Sequence, residues 1–441
     1  MTNLSGWGRF PVAECRVIRA RTQTDVARAL SQGPLIARGN GRAYGDSALN
    51  PDLTLDMRGM DRMLSFDAET GVLVAEAGVL LADIIAAFLP RGWFPGVTPG
   101  TKFVSLGGAI AADVHGKNHH VDGAFGSFVD WIDLMGPDGR ITRVSRDHQP
   151  ELFGYTLGGM GLTGVILRAQ IRLRAVQSGW IVQDSYATRT LEEAIDVFED
   201  HLDWLYSVAW IDCAAQGAHL GRSIAMLGRH ATPEDLPEAR RSAPFQVKRK
   251  RSLTMPIDLP GFALNRYTVH AFNTLYYHLG AWKAGRTLVD WDSYFYPLDA
   301  IRDWNRIYGK RGFFQFQCVL PTDSARTGLH QLVQCIAASG QGSFLSVLKR
   351  FGAQDSRFSF PQAGYTLALD FPANDRSLAL MKTLDRITLD HGGRFYLAKD
   401  SRMPSEVFAE ADPRTEAFAA MRRETGLDAA FASLQSQRLG L

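Results

Sequence analysis

The first ninety residues alternate short apolar runs with amphipathic segments. Residues 16–60 predict a strand, a helix and a second strand, because Thr22 and Asp25 form a helix-capping pattern ahead of periodic apolar positions. Residues 72–78 are apolar and rich in β-branched side chains, and 79–90 have the pattern of an apolar helix. This alternation is typical of helices packed against a sheet.

The second half of the chain has a different pattern. Residues 161–176 alternate apolar side chains with arginine over most of their length, which predicts a half-exposed strand. Beyond about residue 180 aromatic side chains become frequent, and strand-like runs at 313–321 and 365–372 alternate with helical segments such as 378–393. We therefore expect an α+β domain with an antiparallel sheet.

Two stretches of glycine and other small residues stand out in the first part. Residues 37–47, ARGNGRAYGDS, follow an apolar strand, and their free backbone N–H groups and two arginines suit a pyrophosphate. An ordinary tight turn is the simpler interpretation of this loop alone. Residues 99–101 and 105–116 repeat the same design some sixty residues later. The pair predicts two walls around one extended, phosphate-bearing cofactor.

A third glycine motif does not indicate a nicotinamide site. Gly159, Gly161 and Gly164 spell GxGxxG, which binds a dinucleotide only where it follows a strand and opens a helix. Here it precedes the alternating strand described above. We therefore reject a Rossmann-type site.

Composition removes several classes of function. The 48 basic and 46 acidic residues give a net charge of +2, which indicates no nucleic-acid partner. The four cysteines show no metal-ligand or disulfide-framework spacing, and the N-terminus has no cleavable signal pattern, so we expect a reducing, cytoplasmic location and no bound metal. His115 and His119 are four residues apart, but Gly116 separates them and no glutamate completes a metal motif.

Positive charge is concentrated in one segment. Six bases and no acids occur between residues 240 and 251, and apolar residues follow: Arg240, Arg241, Lys248, Arg249, Lys250 and Arg251. A solvated loop is the simpler interpretation. The alternative is a peripheral contact with the inner membrane face, because basic side chains are attracted to anionic lipids.

Several motifs together resemble a known family. RGNGRAYGD, GWFPGVTPGT, SLGGAIAADVHGKNHH and GMGLTGVILRA are similar to the FAD-binding domain of the vanillyl-alcohol oxidase, or PCMH-type, flavoproteins. VHGKNHH, YPLDAIRDWNRIYG, FQFQ, GSFLSVLKRFG and FYLAKDSR extend the resemblance to the decaprenylphosphoryl-β-D-ribose oxidases of that family over nearly the whole chain. The expected fold is a two-domain α+β flavoprotein: FAD-binding domain 1–178, antiparallel-sheet substrate domain 179–394, and a return to the first domain at 395–441.

The resemblance implies FAD as the cofactor and a set of residues around it. The implied FAD contacts are Ala37, Arg38, Gly39, Asn40, Gly41, Arg42, Ala43, Tyr44, Gly45, Asp46, Ser47, Gly100, Thr101, Ser105, Leu106, Gly107, Gly108, Ala112, Asp113, Val114, His115, Val165 and Tyr396. Many relatives attach FAD through a histidine in the first glycine loop, and here that position is Arg42. We therefore expect noncovalent FAD.

Oxidation of an alcohol requires a group that takes the hydroxyl proton. The resemblance puts His115 and Lys399 beside the flavin as candidates for this role and leaves open which is the base. A hydrogen-bonded core histidine and a solvated lysine are the simpler interpretations of these residues. The implied substrate-binding residues are Lys117, Trp210, Phe295, Gln315, Gln317, Leu345, Val347, Lys349, Phe351, Thr366 and Ala368.

Some of these positions depart from the family pattern. The decaprenylphosphoryl-β-D-ribose oxidase pattern has a cysteine, an asparagine and a tyrosine at the positions of Ala368, Thr366 and Phe295, respectively. The implied reaction is FAD-dependent oxidation of the 2′-hydroxyl of a polyprenyl-phosphoryl-β-D-ribose to the 2′-keto sugar, with a short-chain reductase as partner in the epimerisation. A soluble alditol or aldonolactone oxidase is the first alternative, although its usual His-Trp-x-Lys is Tyr396-Leu397-Ala398-Lys399 here. A non-catalytic flavin- or lipid-binding module is the second.

Overall fold

The computed structural model describes residues 1–248, 253–260 and 264–441. In the N-terminal part the strands are β1 (Thr2–Ser5), β2 (Val12–Cys15), β3 (Val17–Arg19), β4 (Ile36–Arg38), β5 (Thr54–Asp56), β6 (Met63–Phe66), β7 (Val72–Glu76), β8 (Trp93–Pro95), β9 (Val129–Met135), β10 (Ile141–Ser145) and β11 (Val165–Ala175). The α-helices of this part are α1 (Gln23–Leu30), α2 (Leu81–Phe88), α3 (Leu106–Ala111), α4 (His119–Asp122) and α5 (Pro150–Thr156).

Two sheets organise this N-terminal part. Strands β3, β5 and β4 form a parallel sheet, and α1 connects β3 to β4, which lie on either side of β5. The predicted capping pattern of α1 is confirmed, since the Thr22 side chain accepts from the Asp25 N–H and the Asp25 carboxylate from the Thr22 N–H. The second sheet is antiparallel, in the order β10-β9-β11-β7-β6, with β8 paired to β11.

The rejection of the GxGxxG motif is confirmed. Strand β11 begins at Val165, directly after the third glycine, and no helix opens there. Gly164 has a φ of 143°, a left-handed conformation that favours glycine, and a Cβ there would lie 2.7 Å from the Leu134 side chain. Gly164 thus provides the backbone conformation that the chain needs immediately before β11.

The middle part of the chain forms the larger sheet. Its strands are β12 (Trp180–Thr188), β13 (Tyr206–Ile211), β14 (Ser223–His230), β15 (Leu253–Thr254), β16 (Gly285–Asp290), β17 (Ile301–Arg302), β18 (Phe313–Pro321), β19 (Ser346–Phe351) and β20 (Gly364–Pro372). Its α-helices are α6 (Leu191–Glu199), α7 (Glu238–Arg241), α8 (Arg266–Trp282), α9 (Trp291–Phe295), α10 (Thr322–Ser339) and α11 (Asp375–Asp390). The strand order is β16-β12-β14-β13-β19-β20-β18, all antiparallel, while β15 and β17 pair separately. The predicted α+β class is confirmed.

The two faces of this sheet have different neighbours. Helices α10 and α11 pack on the face that carries Cys318, whose thiol has its pKa raised to about 12 by burial. The other face carries Gln315 and Gln317, because side chains alternate along β18. Gln317 is paired with Ala368 of β20, and Ala368 in turn with Val347 of β19, so these side chains share that face.

The C-terminal part returns to the first one. Strand β21 (Arg394–Phe395) extends the large sheet beside β18, and α12 (Ser405–Ala411), α13 (Arg414–Glu424), α14 (Leu427–Ala430) and α15 (Leu434–Leu439) follow. A parallel bridge joins Leu35 to Phe431. Arg438 donates to the buried carboxylates of Asp46, in the first glycine loop, and Asp400. The domain boundaries after residues 178 and 394 stay predictions.

The basic segment is described only in part. Arg240, Arg241 and Lys248 are exposed, and the Arg240 guanidinium lies 4.0 Å from the centre of the Trp180 ring. Arg249, Lys250 and Arg251 lie outside the described residues. None of the helices within the described ranges combines the length and apolarity needed to span a membrane.

We expect Arg438→Met to destabilise the protein by about 3 kcal/mol, because it leaves two buried carboxylates without their cation. Urea unfolding followed by fluorescence measures this change. Arg423→Met removes an exposed arginine of α13 and serves as the control. Equal unfolding midpoints for the two variants would contradict the structural role of Arg438.

Candidate active site

A cavity of about 500 Å³ runs between the glycine-rich loops and the large sheet. Glycine allows its two small-residue walls to approach each other and allows the second wall to approach the segment after β7. A Cβ on Gly39 would lie 2.0 Å from Ser105 Oγ, and one on Gly107 would lie 2.8 Å from the Ala77 Cβ. Ser105 caps α3 by accepting from the Gly108 N–H, which fixes the second wall.

Most of the implied cofactor residues lie on the cavity wall. They are Ala37, Arg38, Gly39, Asn40, Gly41, Arg42, Ala43, Tyr44, Gly45, Ser47, Gly100, Thr101, Ser105, Gly107, Gly108, Ala112, Val114, His115 and Tyr396. The implied substrate residues on the wall are Gln315, Gln317, Leu345, Val347, Lys349, Thr366 and Ala368, and Lys399 joins them.

Four implied FAD contacts lie off the wall because their side chains are engaged elsewhere. Asp46 accepts from Arg438, and Asp113 accepts from the Gly126 N–H and from Gln354. Leu106 and Val165 are fully buried in hydrophobic core clusters. Their contact with FAD stays a prediction.

Four implied substrate residues also lie off the wall. Lys117 donates to the Tyr294 carbonyl, and Trp210 donates to the Phe344 carbonyl. Phe295 packs in the core, 5.2 Å from the Phe94 ring. The centre of the Phe351 ring lies 4.8 Å from the centre of the His115 ring, so Phe351 packs against a wall residue without lining the cavity itself.

The two arginines of the first loop have different environments. Arg38 donates to the Ser5 and Ala48 carbonyls, so it holds the loop in shape. The Arg42 guanidinium lies 4.1 Å from the centre of the Trp7 ring, and its buried Nε has no hydrogen-bond partner in the described structure. An unsatisfied guanidinium N–H facing this cavity fits an anionic ligand such as a pyrophosphate.

His115 is buried as a neutral ring. Gln317 Nε2 donates to His115 Nε2 at 3.0 Å, so the ring accepts there and carries its proton on Nδ1. Burial lowers the pKa of His115 well below its usual value, and the charges of Lys349, His119 and Lys399 lower it further. His115 therefore suits hydrogen bonding to a ligand better than it suits holding a proton.

Lys399 lies at the other side of the cavity, on the loop after β21. Its Nζ is 3.7 Å from the centre of the Tyr44 ring. Burial lowers the pKa of Lys399, the carboxylate of Asp370 opposes this shift, and Lys349 adds to it. The amine is thus poised to exchange a proton near neutral pH.

Asp370 is a wall residue that sequence reasoning missed. It accepts a hydrogen bond from Gln315 Nε2, and its Oδ2 has no partner among the described residues. Burial raises the pKa of Asp370, while Gln315 and Lys399 lower it. A signal was available, because Asp370 continues the two-residue spacing of Thr366 and Ala368 along β20.

Further wall residues were also missed. Met160, Gly161, Gly164 and Ile166 come from the entry into β11, and Asp299, Ile301, Arg302, Asp303 and Trp304 come from the segment around β17. Lys349 makes no ion pair with any residue in the described ranges, and burial lowers its pKa to about 8. A cation facing a cavity without a carboxylate partner suits an anionic ligand group.

Comparison with known proteins agrees with this geometry. A family model described as an FAD binding domain matches residues 16–145. Decaprenylphosphoryl-β-D-ribose oxidase of Mycolicibacterium smegmatis is 34% identical, over 99% of this chain and 97% of the relative. The chain belongs to the decaprenylphosphoryl-β-D-ribose oxidase family.

Two further relatives match this chain over different shares of its length. An uncharacterised Streptomyces coelicolor protein encoded in the mprA 5′ region is 32% identical over 82% of this chain and 99% of its own length. L-gulonolactone oxidase of Mus musculus is 28% identical over 37% of this chain and 36% of its own length. The family assignment confirms the PCMH-type fold and makes this chain an FAD-dependent oxidoreductase that acts on CH–OH groups.

We expect FAD to leave the denatured protein, because a guanidinium at position 42 makes no covalent bond to the flavin. Acid precipitation followed by absorbance measurement tests this. The yellow colour should remain in the supernatant. Colour retained by the washed pellet would show a covalent link and contradict the expectation.

Proposed function

We propose that this oxidase converts the 2′-hydroxyl of a polyprenyl-phosphoryl-β-D-ribose to the 2′-keto sugar, the first half of epimerisation to the arabinose donor. The observation that carries the proposal is that one cavity holds two buried lysines of lowered pKa: Lys349, which makes no ion pair within the described ranges, and Lys399, on which the carboxylate of Asp370 acts. The first suits a phosphate and the second suits a hydroxyl. The name of the Mycolicibacterium smegmatis relative supports the same substrate class.

Phosphate binding is assigned to Lys349. The side chain faces the cavity from β19, where Lys349 pairs with Thr366 of β20. Burial penalises its charged form, and an anion in the cavity would favour that form. A phosphoryl sugar would therefore bind with its phosphate beside Lys349 and its ribose near the two glutamine amides.

Proton removal is assigned to Lys399, with Asp370 as a positioning residue. In the neutral form, the Lys399 amine accepts the hydroxyl proton as the adjacent C–H bond gives up its hydride. Bound FAD supplies the hydride acceptor. Asp370 stabilises the lysine once it is protonated, and Gln315 fixes the orientation of Asp370. His115 orients a ligand group from the opposite wall.

The cellular setting follows from this substrate. A short-chain reductase would reduce the keto sugar from the other face, and the two steps together invert the 2′ carbon. We propose a cytoplasmic enzyme held peripherally at the inner membrane face, where a polyprenyl chain resides. The exposed bases Arg240, Arg241 and Lys248 are available to anionic lipid.

We expect Lys399→Met to retain FAD and to slow its reduction by substrate at least about a hundredfold, since a general base is lost. Stopped-flow bleaching with a prenyl-phosphoryl ribose, compared with an alditol and an aldonolactone, measures the rate and the substrate class. Unchanged reduction by Lys399→Met would remove this residue from the chemistry. Reduction by the alditol alone would favour the alternative oxidase.

Asp370→Asn should move the rising limb of the pH–rate profile to lower pH. The carboxylate charge raises the pKa of Lys399, so its removal lets the amine lose its proton at lower pH. Asp299→Asn, which alters another carboxylate of the wall, is the control. A limb at the same pH in Asp370→Asn and wild type would contradict the coupling.

Phosphate binding at Lys349 predicts proton uptake. The pKa of Lys349 is about 8 in the free protein, and an adjacent phosphate raises it, so binding near pH 8 takes up as much as about half a proton per molecule. Calorimetry of a short-chain prenyl-phosphoryl ribose, in two buffers of different ionisation enthalpy, measures the uptake. It should vanish in Lys349→Met and persist in Lys382→Met, an exposed lysine of α11. Equal uptake in both variants would contradict the assignment.

A further inference from the structure

Helix α8 has one stripe that is buried against the protein and a second, apolar stripe whose side chains are exposed. Val269, Asn273 and Gly280 form the packed stripe: the first two are buried, and a Cβ on the third would lie 2.7 Å from Ile224. Asn273 fixes the helix by donating to Asp212 at 3.0 Å. The spacing of four and seven residues is that of one helical face.

The second stripe is exposed. It consists of Phe272, Leu275, Leu279 and Trp282, which keep 46%, 59%, 47% and 80% of their surface in solvent. Their spacing of three, four and three residues places them within an arc of about 80° at 3.6 residues per turn. Large apolar side chains rarely line up in this way on a monomer surface without a partner.

The charged side chains of the segment that contains this stripe have one sign. From Leu259 to Val289 the sequence contains no aspartate or glutamate. Arg266 begins the helix and Lys283 caps its end, and both are exposed. An apolar stripe between basic residues matches a surface that is apolar below an anionic layer, which is the arrangement of a lipid headgroup region.

The helix lies on the same sheet face as the cavity. Trp210 pairs with Val347 of the cavity wall, and the Tyr276 ring lies 4.6 Å from the Trp210 ring. The Phe272 ring also packs on the Phe344 ring, with 5.8 Å between their centres. Leu345, the residue after Phe344, lines the cavity. The exposed stripe is therefore one layer of side chains away from the substrate cavity.

We propose that α8 lies flat in the surface of an anionic bilayer, with the stripe Phe272, Leu275, Leu279 and Trp282 inserted, so that a polyprenyl-phosphoryl substrate enters the cavity without leaving the lipid. The 17-residue helix spans about 25 Å, which suits an in-plane position. Its tryptophan lies at the last turn, and tryptophan is favoured at the headgroup level. The substrate part of this inference rests on the proposed function, but the docking part does not.

Vesicle co-sedimentation of the FAD-loaded protein tests the proposal. Vesicles of phosphatidylcholine mixed with phosphatidylglycerol should bind the wild type, and phosphatidylcholine alone should bind it more weakly. Leu279→Ser/Trp282→Ser should weaken binding to the anionic vesicles at least about tenfold, because two inserted side chains lose their apolar burial. Arg266→Gln/Lys283→Gln should remove the preference for the anionic lipid.

Leu64→Ser/Leu202→Ser is the matched control, because these leucines are 41% and 43% exposed on β6 and after α6. It should bind vesicles like the wild type, and all variants should retain their unfolding midpoint and FAD content. Equal vesicle binding by Leu279→Ser/Trp282→Ser and wild type would overturn the proposal. A lipid-free dimer that this variant dissociates would also overturn it, since the stripe would then belong to a second copy.

Turnover separates the docking from the proposed function. With the stripe variant, turnover of a long-chain substrate in vesicles should fall, while turnover of a short-chain substrate in solution stays at the wild-type rate. A wild type that oxidises neither substrate, while the variant still loses vesicle binding, would overturn the proposed function and leave the docking intact. A variant that oxidises both substrates at the wild-type rate would overturn substrate delivery through α8.

Discussion

Buried positive charge in and near the cavity is the constraint on which the site depends. Lys117, Lys349 and Lys399 each have their pKa lowered by burial, and Asp370 is the carboxylate that acts on Lys399. Removing ammonium groups from water is unfavourable unless an anion accompanies them. The fold therefore holds a local deficit of negative charge, which an anionic ligand relieves. The same burial favours an anionic phosphoryl group beside Lys349 and a neutral amine at Lys399.

The position of each charge follows from a rigid element. Lys349 and Asp370 belong to neighbouring strands of the large sheet, so their separation is fixed by hydrogen-bond register. Lys399 lies on a loop, and that loop is held where Arg438 bridges Asp400 to Asp46. The same bridge fixes the first glycine loop. The loop that carries Lys399 and the first glycine loop are thus tied to one arginine near the C-terminus.

The sequence predicted the walls of the site better than its chemistry. Alternation along β18 was enough to place Gln315 and Gln317 on one face, because strand periodicity does not depend on distant contacts. Transfer from the family could not distinguish Asp46 and Asp113 from their cavity-facing neighbours, since their partners, Arg438 and Gln354, come from remote segments. Asp370 was missed although its spacing along β20 indicated it, because residues 365–372 were treated only as a strand-like run.

The placement of Cys318 has a consequence for chemical reactivity. Its thiol faces α11 on the side of the sheet away from the cavity, and Ala368 occupies the adjacent position on the cavity side. The cavity wall, as far as the chain is described, contains no cysteine. Electrophiles that form adducts with a thiol would find none on the described wall of this cavity. A ligand built to trap a cysteine would therefore be held here by shape, charge and hydrogen bonding, and its residence time would not be extended by a thiol adduct.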